Sequence, residues 1–164
     1  MTIRFGILTV SDRSSRGERA DGSGLALAEL VEAQGWKVVK RAILPDEESA
    51  LRAELTQWAD HGELDVILTT GGTGFGPRDV TPEATRAVIR REAIGLAEAM
   101  RAEGLKKTPH AMLSRGIAGI RAQTLIINLP GSPNGARESL QTILAVLPHA
   151  VHVLQGDASS ESSH

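Results

Sequence analysis

The sequence predicts an α/β fold of three layers, α/β/α, with a mostly parallel sheet between two layers of helices. Two observations carry this expectation. Short β-branched apolar runs alternate along the chain with stretches whose apolar residues recur at helical spacing. Two of those runs, Gly6–Val10 and Leu125–Leu129, are nearly continuous, as in strands covered on both faces. At 164 residues the chain has the length of one domain, enough to bury roughly 70% of the surface its unfolded form exposes. The expected unit runs over residues 1–157, and the Ser/Glu-rich stretch 158–164 is expected to be a disordered tail.

Taken in order, Ile3–Val10 is the first strand. Leu25, Leu27, Leu30 and Val31 mark a helix closed by Gly35. Lys37–Leu44 is the second strand, followed by a helix carrying Ala50, Leu51, Leu55 and Trp58 and ending at Gly62. Val66–Thr69 is the third. Ala84, Val88 and Ile89 begin a helical pattern that continues, across a break, into Leu96, Met100 and Leu105. Pro109, Gly116 and Gly119 interrupt residues 108–123, which reads as a loop or a small hairpin. Thr124–Leu129 is the last strand, and Leu140, Ile143, Leu144, Leu147 and Val151 lie on the final helix.

Composition removes several functional classes. The absence of cysteine excludes a disulfide scaffold, a thiolate zinc site and a thiol nucleophile. A net charge of −2 with 2% aromatic residues does not suit nucleic-acid binding. No apolar stretch approaches membrane-spanning length, and the N-terminal run bracketed by Arg4, Asp12 and Arg13 is too short for a signal peptide. A cytoplasmic protein with neither a membrane nor a nucleic acid as partner is expected.

In an open α/β sheet, ligands bind beyond the carboxyl ends of the strands. Four polar clusters follow the four strands and so gather on one edge: Ser11-Asp12-Arg13, Pro45-Asp46-Glu47, the loop from Gly71 to Asp79, and Pro130-Gly131-Ser132-Pro133-Asn134. The third is the most informative. Gly71, Gly72, Gly74 and Gly76, with Thr73 between them, exceed what a tight turn needs and favour phosphate contact through backbone N–H groups. The spacing and position rule out a dinucleotide fingerprint, and Gly76-Pro77-Arg78 rules out a P-loop. Thr81 reads as the N-cap of the next helix, with Pro82 at its first position. Asp79 is therefore not needed for capping. Either a cation such as Mg²⁺ joins it to a phosphate, or Arg78 neutralises it in an ion pair.

Asp46, from spacing alone, is a helix N-cap; its case as a site residue rests on sharing a sheet edge with Asp79. Ser132-Pro133 is another cap, and Gly131 and Asn134 flank it in a second candidate anion nest. Ser114-Arg115 either contacts a ligand or solvates a turn. Ser11-Asp12-Arg13, with Arg16 and Arg19, reads as a flexible basic loop that either attracts a polyphosphate or is ordinary surface. His149 and His152 lie three residues apart without an evident third ligand, which disfavours a transition-metal site.

The stretch Thr70–Thr85 resembles the signature of the MogA/MoaB family of molybdopterin-binding proteins, which includes the G domains of gephyrin-like proteins. Ile7–Asp12, Leu44–Glu47, Met112–Arg115 with Ala118–Arg121, and Ile127–Pro133 match in the same order. The resemblance covers residue 3 to about residue 150. It implies a homotrimeric enzyme in which the terminal phosphate of molybdopterin attacks the α-phosphorus of Mg-ATP, giving adenylyl-molybdopterin and pyrophosphate. Asp46 and Asp79 match the family's two essential aspartates, each a ligand of Mg²⁺ or of substrate, and Ser114 matches a site serine. By the same resemblance Gly71, Gly72, Thr73, Gly74, Ser11 and Asp12 face nucleotide phosphate. Ser114, Arg115, Pro130, Gly131, Ser132 and Asn134 face molybdopterin. Retention of both aspartates places the chain with the catalytic members rather than with non-catalytic pterin-binding modules. Without the extra domains of molybdenum-inserting relatives, the chain is expected to stop at the adenylylated pterin and hand it to an insertase.

Overall fold

A computed structural model describes residues 1–156 of the chain; the expected tail lies outside the described residues. One six-stranded sheet runs through the molecule. Its strands are β1 (Arg4–Val10), β2 (Lys37–Leu44), β3 (Val66–Thr70), β4 (Arg91–Glu92), β5 (Ala118–Arg121) and β6 (Thr124–Leu129). Their spatial order is β2-β1-β3-β6-β5-β4. The pairs β1–β2, β1–β3 and β3–β6 are parallel, whereas β5–β6 and β4–β5 are antiparallel. The mostly parallel sheet expected from the sequence is present.

The helices are α1 (Asp12–Ser15), α2 (Gly22–Ala33), α3 (Glu48–Asp60), α4 (Thr81–Val88), α5 (Ile94–Leu105), α6 (Pro133–Ile143) and α7 (Leu147–Leu154), with 3-10 turns at Pro109–Leu113 and Leu144–Val146. Neighbouring strand residues point to opposite faces, and each face has its own core. Ile7, Leu68 and Ile127 pack with Leu27, Val31, Leu140 and Val151. Leu8, Ile67 and Ile126 pack with Leu51, Leu55, Trp58 and Val88. Continuous apolar strands are what two covered faces require.

The interrupted segment 108–123 resolves into the Pro109–Leu113 turn and one arm of a β5–β6 hairpin, whose corner Ala122 sits at φ 52°. The break in the middle helical pattern is β4. No helix among the described residues is long and apolar enough to cross a membrane.

The sheet places β1 beside β3 while their following helices lie on opposite faces: α2 packs on α6, and α3 on α4. The carboxyl ends of β1 and β3 are therefore the point where the strand order reverses, the position at which open α/β sheets bind ligands.

At the opposite edge, Asp65 is buried and accepts from Arg4 N at 2.8 Å, Arg4 Nη2 at 2.8 Å and Gln155 Nε2 at 3.2 Å. Burial would raise its carboxyl, but the Arg4 guanidinium and backbone N–H outweigh that and hold it below the ordinary value of 3.8. A carboxylate depressed in this way stabilises the fold fully above its unfolded pKa, and the contribution disappears as pH falls through the folded value. Urea denaturation should therefore show wild-type stability falling below about pH 4. Asp65→Asn should be weaker at pH 7 and should lose less on acidification.

Candidate functional site

The glycine loop begins where β3 ends. Gly71 and Gly72 adopt φ of 106° and 68°, turning the chain sharply out of the sheet. Gly71 N donates to Leu129 O at 3.1 Å. A Cβ on Gly71 would lie 2.2 Å from Val10 O, and one on Gly131 would lie 3.2 Å from Gly71 Cα. The ends of β1 and β3 and the loop after β6 thus meet with no room for a side chain. Part of the glycine content serves this packing rather than a ligand.

The loop is tied down from two directions. Thr81 Oγ1 donates to Gly71 O at 2.9 Å, and Thr81 N donates to Gly72 O at 3.1 Å. Thr81 is therefore not the N-cap expected from the sequence; Val80 holds that position, without a capping side chain. Arg115 N donates to Thr73 O, and its guanidinium donates to Gly74 O and Asp79 O, each at 2.8 Å, and pairs with Glu83. Such bonds go beyond the solvation of a turn. They make it a strut beneath the loop.

Three carboxylates surround this frame. Asp46 does not cap α3, whose N-cap is Glu47. Its Oδ2 accepts from Asp12 N at 2.9 Å, and Asp46 N donates to Asp12 Oδ1 at 3.0 Å. This reciprocal clamp outcompetes the local cap. Arg78 does not neutralise Asp79 either; it reaches Asp12 through Nε at 3.0 Å and Nη2 at 2.9 Å. Asp79 Oδ2 accepts from Gly76 N at 2.9 Å.

The missing Cβ atoms make this approach possible. Asp46 Oδ1 lies 3.1 Å from the position a Cβ would take on Gly72, and Asp79 Oδ2 lies 2.9 Å from that position on Gly74. Burial pushes the Asp46 carboxyl up, and the charges of Asp12 and Asp79 push the same way. The Asp12 carboxyl is held low, first by Arg78 and then by the Asp46 N–H. Ser11–Ser15 is no flexible loop: Ser11 caps the short α1, accepting from Ser14 N at 3.1 Å.

A cleft of about 380 Å³ opens between α5, the Pro109–Leu113 turn and α6. This is a fitting volume for a heterocycle. Thr73, Gly74, Ser114, Pro130 and Ser132 all line it, together with Ala97, Met100 and Leu113. Thr73 is buried, and its hydroxyl has no partner among the described residues. Among the described residues Ser114 Oγ accepts only from Gly116 N, at 3.3 Å. Ser132 caps α6, accepting from Gly135 N at 3.1 Å, as expected from its sequence. Asp12, Asp46 and Asp79 do not line the cleft; nor do Arg115, Gly131 and Asn134. The glycine loop thus stands between a carboxylate cluster and a mainly apolar cleft, and Thr73 and Gly74 face the latter.

Arg101 and Asn128, neither of them a candidate from the sequence, both line the cleft. Arg101 falls on an ordinary helical stretch, with no local signal. Asn128 is buried in β6, where Nδ2 donates to Thr69 Oγ1 and Thr85 Oγ1, each at 2.9 Å, and Oδ1 accepts from Ile117 N at 3.2 Å. A lone polar residue inside the apolar run Leu125–Leu129 was the available clue.

Residues 6–149 match the family model described as "Probable molybdopterin binding domain". The crystal structure of the molybdopterin biosynthesis enzyme MoaB from Thermus thermophilus is 54% identical, with a TM-score of 0.89, covering 95% of this chain and 98% of that one. The molybdenum cofactor synthesis protein cinnamon of Drosophila melanogaster is 48% identical over 159 residues, which are 96% of this chain and 26% of that protein. Gephyrin of Dictyostelium discoideum is likewise matched over only 23% of its length, so the chain spans about a quarter of these two relatives. A molybdopterin adenylyltransferase of Helicobacter pylori (strain J99) is 40% identical, with 95% of this chain and 90% of that protein covered. With the match spanning nearly the whole described fold, including the glycine loop, Asp46 and Asp79, the chain belongs to the molybdopterin-binding domain family.

Proposed function

We propose that the protein is a molybdopterin adenylyltransferase, joining AMP from ATP to the terminal phosphate of molybdopterin in molybdenum cofactor biosynthesis. The observation that carries the proposal is the pairing of Asp46 and Asp79 against a glycine loop whose Thr73–Gly74 segment also lines the cleft. The near full-length likeness to adenylyltransferases of Helicobacter pylori and Escherichia coli supports it.

In this reaction an oxygen of the molybdopterin phosphate forms a bond to the α-phosphorus of ATP. The bond from that phosphorus to the bridging oxygen of the β-phosphate breaks, and pyrophosphate leaves. Such a transfer between polyanions demands positioning and charge neutralisation rather than a protein nucleophile. The glycine loop offers main-chain N–H groups to phosphate, and Thr73 offers a hydroxyl. Asp46, fixed by its clamp to Asp12, and Asp79, fixed by Gly76, hold the polar side of the loop in one geometry. The cleft, with Ser114, Pro130 and Ser132, takes the pterin.

The two carboxylates fit Mg²⁺, a hard cation usually bound by one or two carboxylates together with substrate phosphates. No group of three His, Cys, Asp or Glu side chains among the described residues makes a self-sufficient metal site. When bound, Mg²⁺ neutralises phosphate charge beside Asp46 and Asp79. The same reading has one domain carrying both ligand sides, a cytoplasmic location and hand-over of the product to an insertase. It also proposes a homotrimer, which light scattering tests: a stable monomer at assay concentrations contradicts it. The function is tested by pyrophosphate release, expected only when molybdopterin, ATP and Mg²⁺ are all present; binding of both substrates without release would make the protein a pterin carrier.

A further inference from the structure

We propose that Arg101 is the anion contact of the cleft, binding the charged substituent of the pterin held there. The inference rests on the proposed function only in taking molybdopterin as the occupant. Arg101 lies on α5 and lines the cleft, partly buried. Its Nη1 donates to Gly116 O at 2.8 Å and to Ser114 O at 3.2 Å. A guanidinium is a rigid planar fork, so anchoring one nitrogen orients the whole plane.

Its remaining N–H groups have no acceptor among the described residues. The other permanently charged side chains lining the cleft are all in ion pairs. Lys107 meets Glu138 at 3.1 Å, and Glu103 meets Lys106 at 2.7 Å. Among the described residues Arg101 alone brings an uncompensated charge to a largely apolar cavity, where an anion gains most from a preorganised donor. The carbonyls it holds belong to Ser114 and Gly116, so the same residue sets the position of the site serine.

Molybdopterin offers two anionic groups, a phosphate monoester and a pair of thiolates. Calorimetry of wild type, Arg101→Met and Arg101→Gln with molybdopterin, with a phosphorylated pterin lacking thiolates, and with a Mg-ATP analogue separates them. Arg101→Met is expected to weaken molybdopterin binding about 10–100-fold and to leave the ATP analogue within about twofold. A matching loss for the thiolate-free pterin assigns the phosphate; a loss confined to molybdopterin assigns the thiolates. Arg101→Gln keeps an amide donor for the Gly116 carbonyl, so it gives the answer should the methionine variant not fold. Molybdopterin affinity unchanged in a folded variant, or an equal loss for ATP and pterin, overturns the inference. A wild-type protein that binds no pterin overturns the proposed function instead.

Discussion

Asp79→Asn is expected to lower pyrophosphate release from molybdopterin and Mg-ATP by about 10²-fold or more. The substitution keeps size and an oxygen that can accept the 2.9 Å bond from Gly76 N, so the loop keeps its shape. What disappears is the charge. Arg78 is already engaged by Asp12, and under the proposed function removing the Asp79 charge leaves only Asp46 for a cation beside the phosphates. Melting temperature should move little while turnover collapses. Steady-state kinetics beside a thermal melt checks both, and normal turnover in the variant would remove Asp79 from the chemistry.

Gly71→Ala should have the largest effect on stability of any single methyl addition to the loop. Two penalties combine at this residue. Its φ of 106° disfavours an L side chain, and the new Cβ would lie 2.2 Å from Val10 O, a backbone atom held in β1. Relief requires the ends of β1 and β3 to part, disturbing the glycine loop that follows β3. A loss on the order of 4 kcal/mol or more is expected, with activity falling in parallel. Gly35→Ala separates the two causes. Gly35 has φ 77°, yet none of the described residues lies within 4 Å of its would-be Cβ, so only conformational strain of roughly 1–2 kcal/mol remains. Chemical denaturation of both variants measures the difference; equal losses would mean that the Val10 contact is not restrictive.

The fold is legible in the sequence because its main signals are local. β1, β3 and β6 are apolar runs whose alternate residues serve two cores, β2 alternates half-buried and exposed residues at the sheet edge, and helical spacing marks the segments between them. β4 is not legible: two charged residues, Arg91 and Glu92, carry no strand pattern and pair only because β5 lies alongside. The site divides in the same way. The glycine loop, Asp79 and the Ser132 cap are contiguous motifs. Asp46 reads as a cap because spacing cannot register a partner 34 residues away, and Arg78 finds Asp12 across 66. Thr81 loses its expected cap to the Gly71 carbonyl, ten residues distant. In each case a tertiary hydrogen bond replaces the local one that propensity favours. Arg115 changes meaning for the same reason, from a residue beside a turn to the strut of a loop 36–41 residues earlier.

The most direct test is mass-spectrometric analysis of the product formed from purified protein, molybdopterin and Mg-ATP. Adenylyl-molybdopterin in equal amount to the pyrophosphate released is the expected result, with both absent from the Asp46→Asn and Asp79→Asn double variant. Molybdopterin recovered unchanged from a folded wild-type protein that binds both substrates would contradict an adenylyltransferase.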